Sequence, residues 1–440
     1  FGEVLWSTSS APLTSAMTSV PSANGEDDLL ECGLLVEATA TRGRQVVAAR
    51  SFAAGECVLT TKPFAAVLLP RHWGRRCGFC FLELKQRKVC GKCKKEAYCD
   101  ARCQKAAWRE HHREECSVIE EQEDESTVVD YALARRVQKR LDQASKEDRV
   151  VSWFSPAGVS KSDATRVVEP SARDVEAMVS SVTSAAADDV TERLVSAGRR
   201  TSFCVADDLL HGVAAASSPL GALLNHACGD SANCVQAWTL RPGEAPLHHF
   251  VATRRVEAGE ELTHSYVDAA ATLATRRSRL SELYGFDCNC RLCCLEEAGD
   301  DPRGLEQGAS KGLPAVLRRA EELRAAAMAS EDEDEELRLL REALALSEAH
   351  AATTHLALLE THEALLHATM AAGDYGVAAH HAAEVARRRE LAYGTRYHPR
   401  VALDWVTLAE LLSQSSEGSA ALDDARRNAL DALDRTAAPH

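Results

Sequence analysis

The chain has 440 residues and a formal net charge of −15, with 45% hydrophobic and 27% charged residues. This length predicts roughly two to four domains, and the composition is that of a globular protein rather than a disordered one. No apolar run reaches the ~18 residues that a membrane-spanning helix needs, so we expect no membrane span. The negative charge argues against a surface that coats nucleic acid throughout; it suits a basic partner or simple solubility.

The first 70 residues change character near residue 30. Residues 1–30 are rich in Ser, Thr, Ala and Pro without hydrophobic periodicity, which predicts a flexible leader, and the absence of Arg and Lys counts against a transit peptide. From 31 to 70, short β-branched runs separated by turns predict a small β unit with strands at 45–48, 57–61 and 65–69.

Seven cysteines and a histidine between 77 and 116 predict metal sites. Disulfides would leave the histidine idle and one cysteine unpaired, whereas eight thiolate and imidazole ligands fit two closed tetrahedral zinc sites. His112 is preferred over its neighbour His111 because its spacing to Cys116 equals one helical turn, and His111 stays the alternative. The expected ligands are Cys77, Cys80, Cys90, Cys93, Cys99, Cys103, His112 and Cys116.

The same segment resembles a MYND finger, with Tyr98, Gln104 and Trp108 at the expected places beside the ligands. The resemblance implies interleaved ligation and binding of a proline-containing peptide. Six basic residues between 85 and 95 could also contact DNA, but a solvated basic face explains them equally well and the acidic chain does not favour DNA. The two implied ligand groups are Cys77, Cys80, Cys99 and Cys103, and Cys90, Cys93, His112 and Cys116.

Further along the chain, helical and β patterns alternate. Residues 120–200 carry apolar residues at helical spacing, and β character returns from 201 to 270, with strands at 235–240 and 250–253.

The last third of the chain carries a helical pattern. After an expected exposed linker at 299–312, residues 311–440 are rich in Ala and Leu with a 3.6-residue period, which predicts about six helices in antiparallel pairs.

Two ordered motifs resemble those of SET-domain methyltransferases. Residues 225–233 read NHACGDSAN and resemble NHxCxxN, with two extra residues between Cys228 and Asn233. Residues 259–266 read GEELTHSY and resemble GEELxxxY. The resemblance extends to the first cofactor loop, where Gln45 replaces the second glycine of GxG, and to Thr201, where the family often has Asn before Ser-Phe.

The cysteines at 288, 290 and 293 match the family's post-SET pattern, which implies a third zinc site. Its ligands would be Cys228, Cys288, Cys290 and Cys293, with Cys294 as the alternative. We interpret the remaining cysteines as buried small hydrophobic residues: Cys32, Cys57, Cys204 and Cys234.

The resemblance implies a role for each site residue in moving a methyl group from S-adenosylmethionine to a lysine. Tyr266 would act at the reacting centre and Tyr284 would line the lysine channel, so these two are the catalytic candidates. The cofactor-binding candidates are Arg44, Asn225, His226, Tyr266 and Phe286. A histidine that only braces its loop is the alternative for His226, and no catalytic role is expected for the histidines at His248, His249 and His264.

Over about residues 33 to 294 the sequence is identified as a member of the SET and MYND domain (SMYD-type) family, and its C-terminal helices are similar to those of that family. This predicts an α+β multidomain fold: a SET β-fold interrupted by a MYND zinc finger and a helical insert, followed by an all-α TPR-like C-terminal domain. The expected boundaries are a leader 1–30, the first SET part 31–70, the finger 77–116, the insert 120–200, the core SET domain 201–270, the post-SET segment 271–295 and the helical domain 311–440.

The implied function is an S-adenosylmethionine-dependent protein-lysine N-methyltransferase that carries three zinc ions. We expect a lysine-bearing protein substrate, such as a histone tail or a non-histone protein, no membrane partner, a monomeric chain, and a location in nucleus and cytoplasm. The alternatives are a non-catalytic MYND/TPR adaptor with a vestigial SET fold and, less favoured, a DNA-binding zinc-finger regulator.

Overall fold

The structure is a computed structural model of the 440-residue chain. It describes residues 29–39, 43–116, 125–146, 167–168, 175–176, 178–179, 190–300, 303, 313–350, 356–414 and 419–436. The predicted leader therefore lies outside the described residues, apart from its last two positions.

Short strands from both sides of the finger form the β part of the molecule. The strands of the described residues are β1 Leu34–Thr39, β2 Gly43–Ala48, β3 Cys57–Thr61, β4 Ala65–Leu68, β5 Lys88–Val89, β6 Ala97–Tyr98, β7 Val167–Val168, β8 Ser202–Ala206, β9 Gly212–Ser217, β10 Asn225–His226, β11 Cys234–Thr239, β12 Leu247–Ala252 and β13 Thr263–His264. The strands predicted in the first 70 residues and after 201 are confirmed within two or three residues at each end.

The sheet order explains how one fold tolerates a long insertion. One sheet runs β11-β12-β3-β7 and another β4-β9-β8, so β3 and β4, which precede the finger, pair with β12 and β9, which follow it. β1 pairs with β2, β5 with β6 inside the finger, and β10 pairs in parallel with β13. Because these pairings close the sheets around the insertion, the finger and insert leave the main fold intact.

The core between these strands is apolar and fully buried. Val46, Leu59, Leu224, Phe250 and Leu262 belong to one cluster and are at most 2% exposed. Burying each such side chain stabilises the fold by roughly 1.5–3 kcal/mol. Leu224 directly precedes the first stretch that resembles a SET motif, and Leu262 lies within the second. The buried core therefore fixes the backbone of both stretches.

The helices fall into a scattered group and a C-terminal array. Among the described residues they include α1 Ala101–Ala107, α2 Arg113–Glu115, α3 Glu125–Lys146, α4 Val190–Thr201, α5 Leu273–Tyr284, α6 Arg291–Glu297, α7 Leu313–Met328, α8 Glu333–His350, α9 Leu356–Ala371, α10 Tyr375–Tyr393, α11 Pro399–Gln414 and α12 Ser419–Thr436. A π-helical turn, Trp108–His112, joins α1 to α2. The last six helices pack each against the next in sequence, as the periodicity predicts.

The C-terminal helices pack against the segment that follows Tyr266. Ala269 and Ala270 are buried in the same cluster as residues of α9, α10 and α11. At the end of α10, Gly394 has a φ of 68°, and a Cβ there would lie 2.5 Å from Cβ of Asp230. Any larger residue at this position would clash with Asp230, so only glycine allows the contact. The end of α10 therefore packs directly against the loop after Cys228.

The insert holds the expected helices α3 and α4, and Val167 and Val168 add a short strand that pairs in parallel with β3. The expectation of an exposed linker is wrong in part. Arg303 lies within the linker expected to be exposed, yet it is 5% exposed, because it donates hydrogen bonds to the carbonyls of Ala269 and Ala392 and pairs with Glu296.

Among the helices that the structure describes, none is both long and apolar enough to span a membrane.

Candidate active site and cysteine sets

The finger brings its eight candidate ligands together in two groups. The ligand atoms of Cys77, Cys80, Cys99 and Cys103 all lie within 4.8 Å of one another, and so do those of Cys90, Cys93, His112 and Cys116. The Sγ atoms of Cys80 and Cys99 are 3.5 Å apart and those of Cys90 and Cys116 are 3.7 Å apart. Zinc–sulfur bonds of about 2.3 Å in a tetrahedron place sulfurs about 3.8 Å apart, so the spacing suits zinc.

His112 and not His111 belongs to the second set. Its Nε2 lies 3.5 Å from Sγ of Cys93, and its Nδ1 lies 3.1 Å from a carboxylate oxygen of Glu96. Tyr98 donates its hydroxyl hydrogen to the same carboxylate. A carboxylate behind a metal-binding histidine fixes the ring and its tautomer. Sequence reasoning missed Glu96; a lone acidic residue among basic ones, two before Tyr98, was the available signal.

The third set joins residues about sixty positions apart in the chain. The sulfurs of Cys228, Cys288, Cys290 and Cys293 all lie within 4.8 Å of one another, and the Cys293–Cys228 distance is 3.6 Å. Cys294 is exposed and its Sγ lies 3.4 Å from the carbonyl oxygen of Asn289 instead. The four sulfurs thus attach the start of α6 to the loop after β10.

Tyr266 is held beside this set through the ring of His226. The backbone N–H of Tyr266 donates to Nδ1 of His226 at 2.9 Å, and Nε2 of that ring lies 3.1 Å from Sγ of Cys228. The Tyr266 hydroxyl donates to the carbonyl of Leu224 at 2.7 Å. The phenol ring, its backbone and the cysteine set are therefore parts of one hydrogen-bonded unit.

Aromatic rings from α5 and the segment after it surround Tyr266. Ring centroids are 4.9 Å apart for Tyr266 and Tyr284, and 6.5 Å apart for Tyr266 and Phe286. The ring of His226 lies 6.0 Å from that of Phe286. Burial raises the pKa of the Tyr284 phenol, which keeps it uncharged. Phe286 is 37% exposed, so part of its side chain is accessible to a ligand.

Asn225 connects this aromatic group to the first predicted cofactor loop. Its side-chain amide donates to the carbonyl of Arg44 at 3.0 Å and to a carboxylate oxygen of Glu261 at 2.9 Å. The residues assigned to cofactor binding or catalysis thus lie in one continuous group of contacts, although they come from residues 44 to 286. Glu261, which sequence reasoning gave no role of its own, holds the amide of Asn225.

The three histidines for which no catalytic role is expected all lie in strands and are buried: His248 and His249 in β12 and His264 in β13. Burial lowers the pKa of His249 to about 4 and that of His264 to about 3, so both rings are neutral near pH 7.

The interpretation of the four remaining cysteines is partly wrong. Cys32 and Cys234 are buried as expected. Cys204 is exposed because β8 is the outer strand of its sheet and the neighbouring Val205 points to the core instead. Cys57 is only half-buried, and its thiol lies 3.2 Å from the Thr60 hydroxyl.

A family model described as the SET domain matches residues 43–267, more than half of the chain. The chain therefore belongs to the SET domain family. The matched range includes the finger and the insert, in agreement with sheets that close around them. Within that family the chain is of the SET and MYND type, since the interleaved cysteine sets lie inside the matched range and its relatives carry the name of that type.

Three relatives illustrate the likeness. N-lysine methyltransferase SMYD2-B of Xenopus laevis is 27% identical over 60% of this chain and 61% of that protein. Histone-lysine N-methyltransferase SMYD3 is 25% identical over 65% of this chain and 67% of the Mus musculus protein, and 26% identical over 66% of this chain and 68% of the Homo sapiens protein. The chain thus aligns with 61% to 68% of these proteins' lengths.

Proposed function

We propose that this chain is a protein-lysine N-methyltransferase that uses S-adenosylmethionine. The observation that carries the proposal is the position of Tyr266, which is hydrogen-bonded to His226, surrounded by Tyr284 and Phe286, and tied to the third cysteine set. Such a group of aromatic rings can enclose an amine side chain and its methyl groups away from water.

The residues present fit the proposed cofactor. Asn225 is held by two hydrogen bonds, the backbone of Arg44 lies beside it, and the accessible ring of Phe286 can stack on an adenine. When bound, S-adenosylmethionine supplies an electrophilic methyl group on a positively charged sulfur. Since both ring nitrogens of His226 contact protein atoms, we assign its cofactor contact to the backbone.

The chain's own contribution to the reaction is positioning more than base catalysis. Holding an amine in line with its target converts a bimolecular reaction into an effectively unimolecular one. The apolar rings of Tyr266, Tyr284 and Phe286 exclude water and lower the pKa of an entering lysine, which must react as the neutral amine. The Tyr266 hydroxyl, fixed near the carbonyl of Leu224, orients that amine.

We assign three zinc ions to the three cysteine sets, one ion to each. The donor atoms support this, since four thiolates, or three thiolates and an imidazole, form a closed structural site without an open position. We also propose the domain boundaries given by the sequence, a monomeric chain, a MYND finger that binds a proline-containing peptide, and a location in nucleus and cytoplasm. A lysine-bearing protein, such as a histone tail, is the proposed substrate.

The activity test uses tritium-labelled S-adenosylmethionine with recombinant core histones and a bacterial protein extract. We expect transfer to protein by the natural chain and a loss of about 100-fold in Tyr266→Phe, which removes one positioned hydroxyl. Tyr131→Phe removes a hydroxyl from the exposed face of α3 and should leave the rate unchanged.

The outcome also decides between enzyme and adaptor. Binding of the labelled cofactor without transfer to any protein would contradict the proposal and favour the non-catalytic adaptor. Equal rates for Tyr266→Phe and the natural chain would contradict the role given to Tyr266.

A further inference from the structure

We propose that His264 determines how many methyl groups the site can add. In this proposal, which rests on the proposed function, Nε2 of His264 accepts an N–H hydrogen bond from the substrate amine and so excludes trimethylation. The acceptor residue is distinct from Tyr266 and Tyr284, to which the reaction itself is assigned.

The position of His264 places its ring beside the site. It lies at the end of β13, two residues before Tyr266. The ring centroids of His264 and Tyr266 are 4.9 Å apart, and the ring of Phe203 stacks on His264 at 5.9 Å. His264 is thus part of the aromatic wall next to the proposed reacting centre.

The ring of His264 has one nitrogen that no protein group satisfies. The residue is 3% exposed, and among the described residues none forms a hydrogen bond with its Nε2. Burial lowers the pKa of His264 to about 3 despite an opposing interaction with the backbone of Ser265, so the ring is neutral and carries a single N–H. With that hydrogen on Nδ1, Nε2 is an acceptor.

A buried acceptor without a donor is unfavourable, so the site favours a ligand that brings an N–H. A lysine amine that reacts points its lone pair at the methyl carbon and keeps two other substituents. In the first transfer both are hydrogens, and in the second one is still hydrogen. In the third transfer both substituents are methyl groups, so Nε2 would face a carbon atom and would accept no hydrogen bond.

Each transfer is a displacement in which the nitrogen lone pair forms the N–C bond. The C–S bond breaks, its electron pair stays on sulfur, and the new ammonium loses a proton to solvent before the next transfer. His264 takes no electrons and no proton in this step; it only selects which amines fit. Sites that hydrogen-bond a substrate N–H discriminate strongly against analogues that lack it.

The test counts methyl groups by mass spectrometry on recombinant core histones and bacterial proteins after long incubation with S-adenosylmethionine. The natural chain should give mono- and dimethyl-lysine without trimethyl-lysine. His264→Leu, which removes the acceptor, should raise the trimethyl fraction at least about tenfold. His264→Gln keeps an acceptor of similar reach and should retain the limit.

His249→Leu is the matched control, since His249 is equally buried, also has an Nε2 without a partner in the described residues, and lies in β12. It should not change the product distribution. Thermal melting of each variant confirms that it is folded. His264→Gln supplies the second test if His264→Leu does not fold, because trimethylation by that variant would contradict the acceptor role.

Trimethyl-lysine made efficiently by the natural chain would overturn the proposal. An active His264→Leu variant with an unchanged product distribution would also overturn it. A folded but inactive His264→Leu variant would overturn it too, because the residue would then be needed for methyl transfer itself. Failure of the proposed function is a different result: the natural chain and all variants would add no methyl group to any protein.

Discussion

The ring of His226 joins the motif tyrosine to the third cysteine set. Because Nδ1 accepts from the backbone of Tyr266, the ring proton lies on Nε2, which faces Sγ of Cys228 at 3.1 Å. A donor directed at a ligating sulfur stabilises its thiolate form. A single side chain therefore couples the backbone position of Tyr266 to Cys228 of the third set.

A buried histidine pair in the C-terminal array should make its stability depend on pH. Nδ1 of His362 in α9 lies 3.0 Å from Nδ1 of His381 in α10. Burial lowers the pKa of His362 to about 3, with a further contribution from Arg388. Burial also lowers the pKa of His381 to about 4, with further contributions from His380 and Arg341. Both rings are therefore neutral in the folded array at neutral pH.

The unfolded chain, with histidine pKa values near 6.5, binds protons that the folded array excludes. The stability from these groups is fully present above pH ~6.5 and is lost as the pH falls towards about 4. Between pH 7 and pH 5 we expect a loss of about 2 kcal/mol per histidine, measured by thermal melting followed by circular dichroism.

His362→Leu should reduce this dependence on pH, since one of the two titrating groups is gone. The matched control is His367→Gln, which replaces an exposed histidine of the same helix and should leave the pH dependence as in the natural chain. A melting temperature of the helical array that stays constant from pH 7 to pH 5 would show that the pair is not buried in its neutral form.

At the scale of elements, the third cysteine set fixes the segment between α5 and α6 against the loop after β10. Tyr284 ends α5 and Phe286 follows it, so both rings are within four residues of a cysteine of this set. Metal binding and the folding of such a segment are coupled. We therefore expect the position of both rings to depend on the metal.

Cys290→Ser should remove one zinc ion from the molecule, lowering the content from about three to about two as measured by inductively coupled plasma mass spectrometry. Methyl transfer should fall strongly, since Tyr284 and Phe286 lose their support. Cys294→Ser is the control: its thiol is exposed and lies outside the set, so zinc content and activity should be retained. The same metal content in both variants would contradict the assignment.

An element could be predicted from the sequence where a physical requirement sets the spacing of its residues. Helical periodicity gave the last six helices, and ligand spacing gave the eight candidate ligands of the finger; the resemblance to the family gave their grouping and the third set. The short strand β7 carries too few residues to show a period, and its partner β3 lies more than a hundred residues earlier in the chain.

The same limit applies to side chains whose surroundings come from remote segments. Nothing near Arg303 in the sequence indicates the carbonyls of Ala269 and Ala392, and nothing near Cys204 indicates an outer strand. For the site, sequence motifs identified Asn225, His226 and Tyr266, but the hydrogen bonds that join them depend on the folded chain.

At the scale of the whole molecule, a buried charge group joins the SET part to the helical array. Glu296 of α6 pairs with both Arg276 of α5 and Arg303, and all three side chains are at most 5% exposed. Arg303 also donates to the carbonyls of Ala269, three residues after Tyr266, and of Ala392 in α10. One guanidinium therefore connects the post-SET segment, the loop after Tyr266 and the array.

Replacing Arg303 should loosen this junction without unfolding either part. Arg303→Met keeps an apolar stem but leaves two buried carbonyls and part of the Glu296 charge unpaired, which costs about 3–5 kcal/mol. Hydrogen exchange should become faster at residues 268–272 and 389–395, and methyl transfer should fall because the loop after Tyr266 is released.

Arg277→Met is the matched control for Arg303→Met. Arg277 follows Arg276 in α5, but it forms an exposed ion pair with Glu297. Such pairs contribute only about 0–1 kcal/mol, so exchange and activity should stay near those of the natural chain. If both variants behaved alike, the junction would not depend on the buried charges, and the apolar contacts of Ala269 and Ala270 would be sufficient to hold the array against the site.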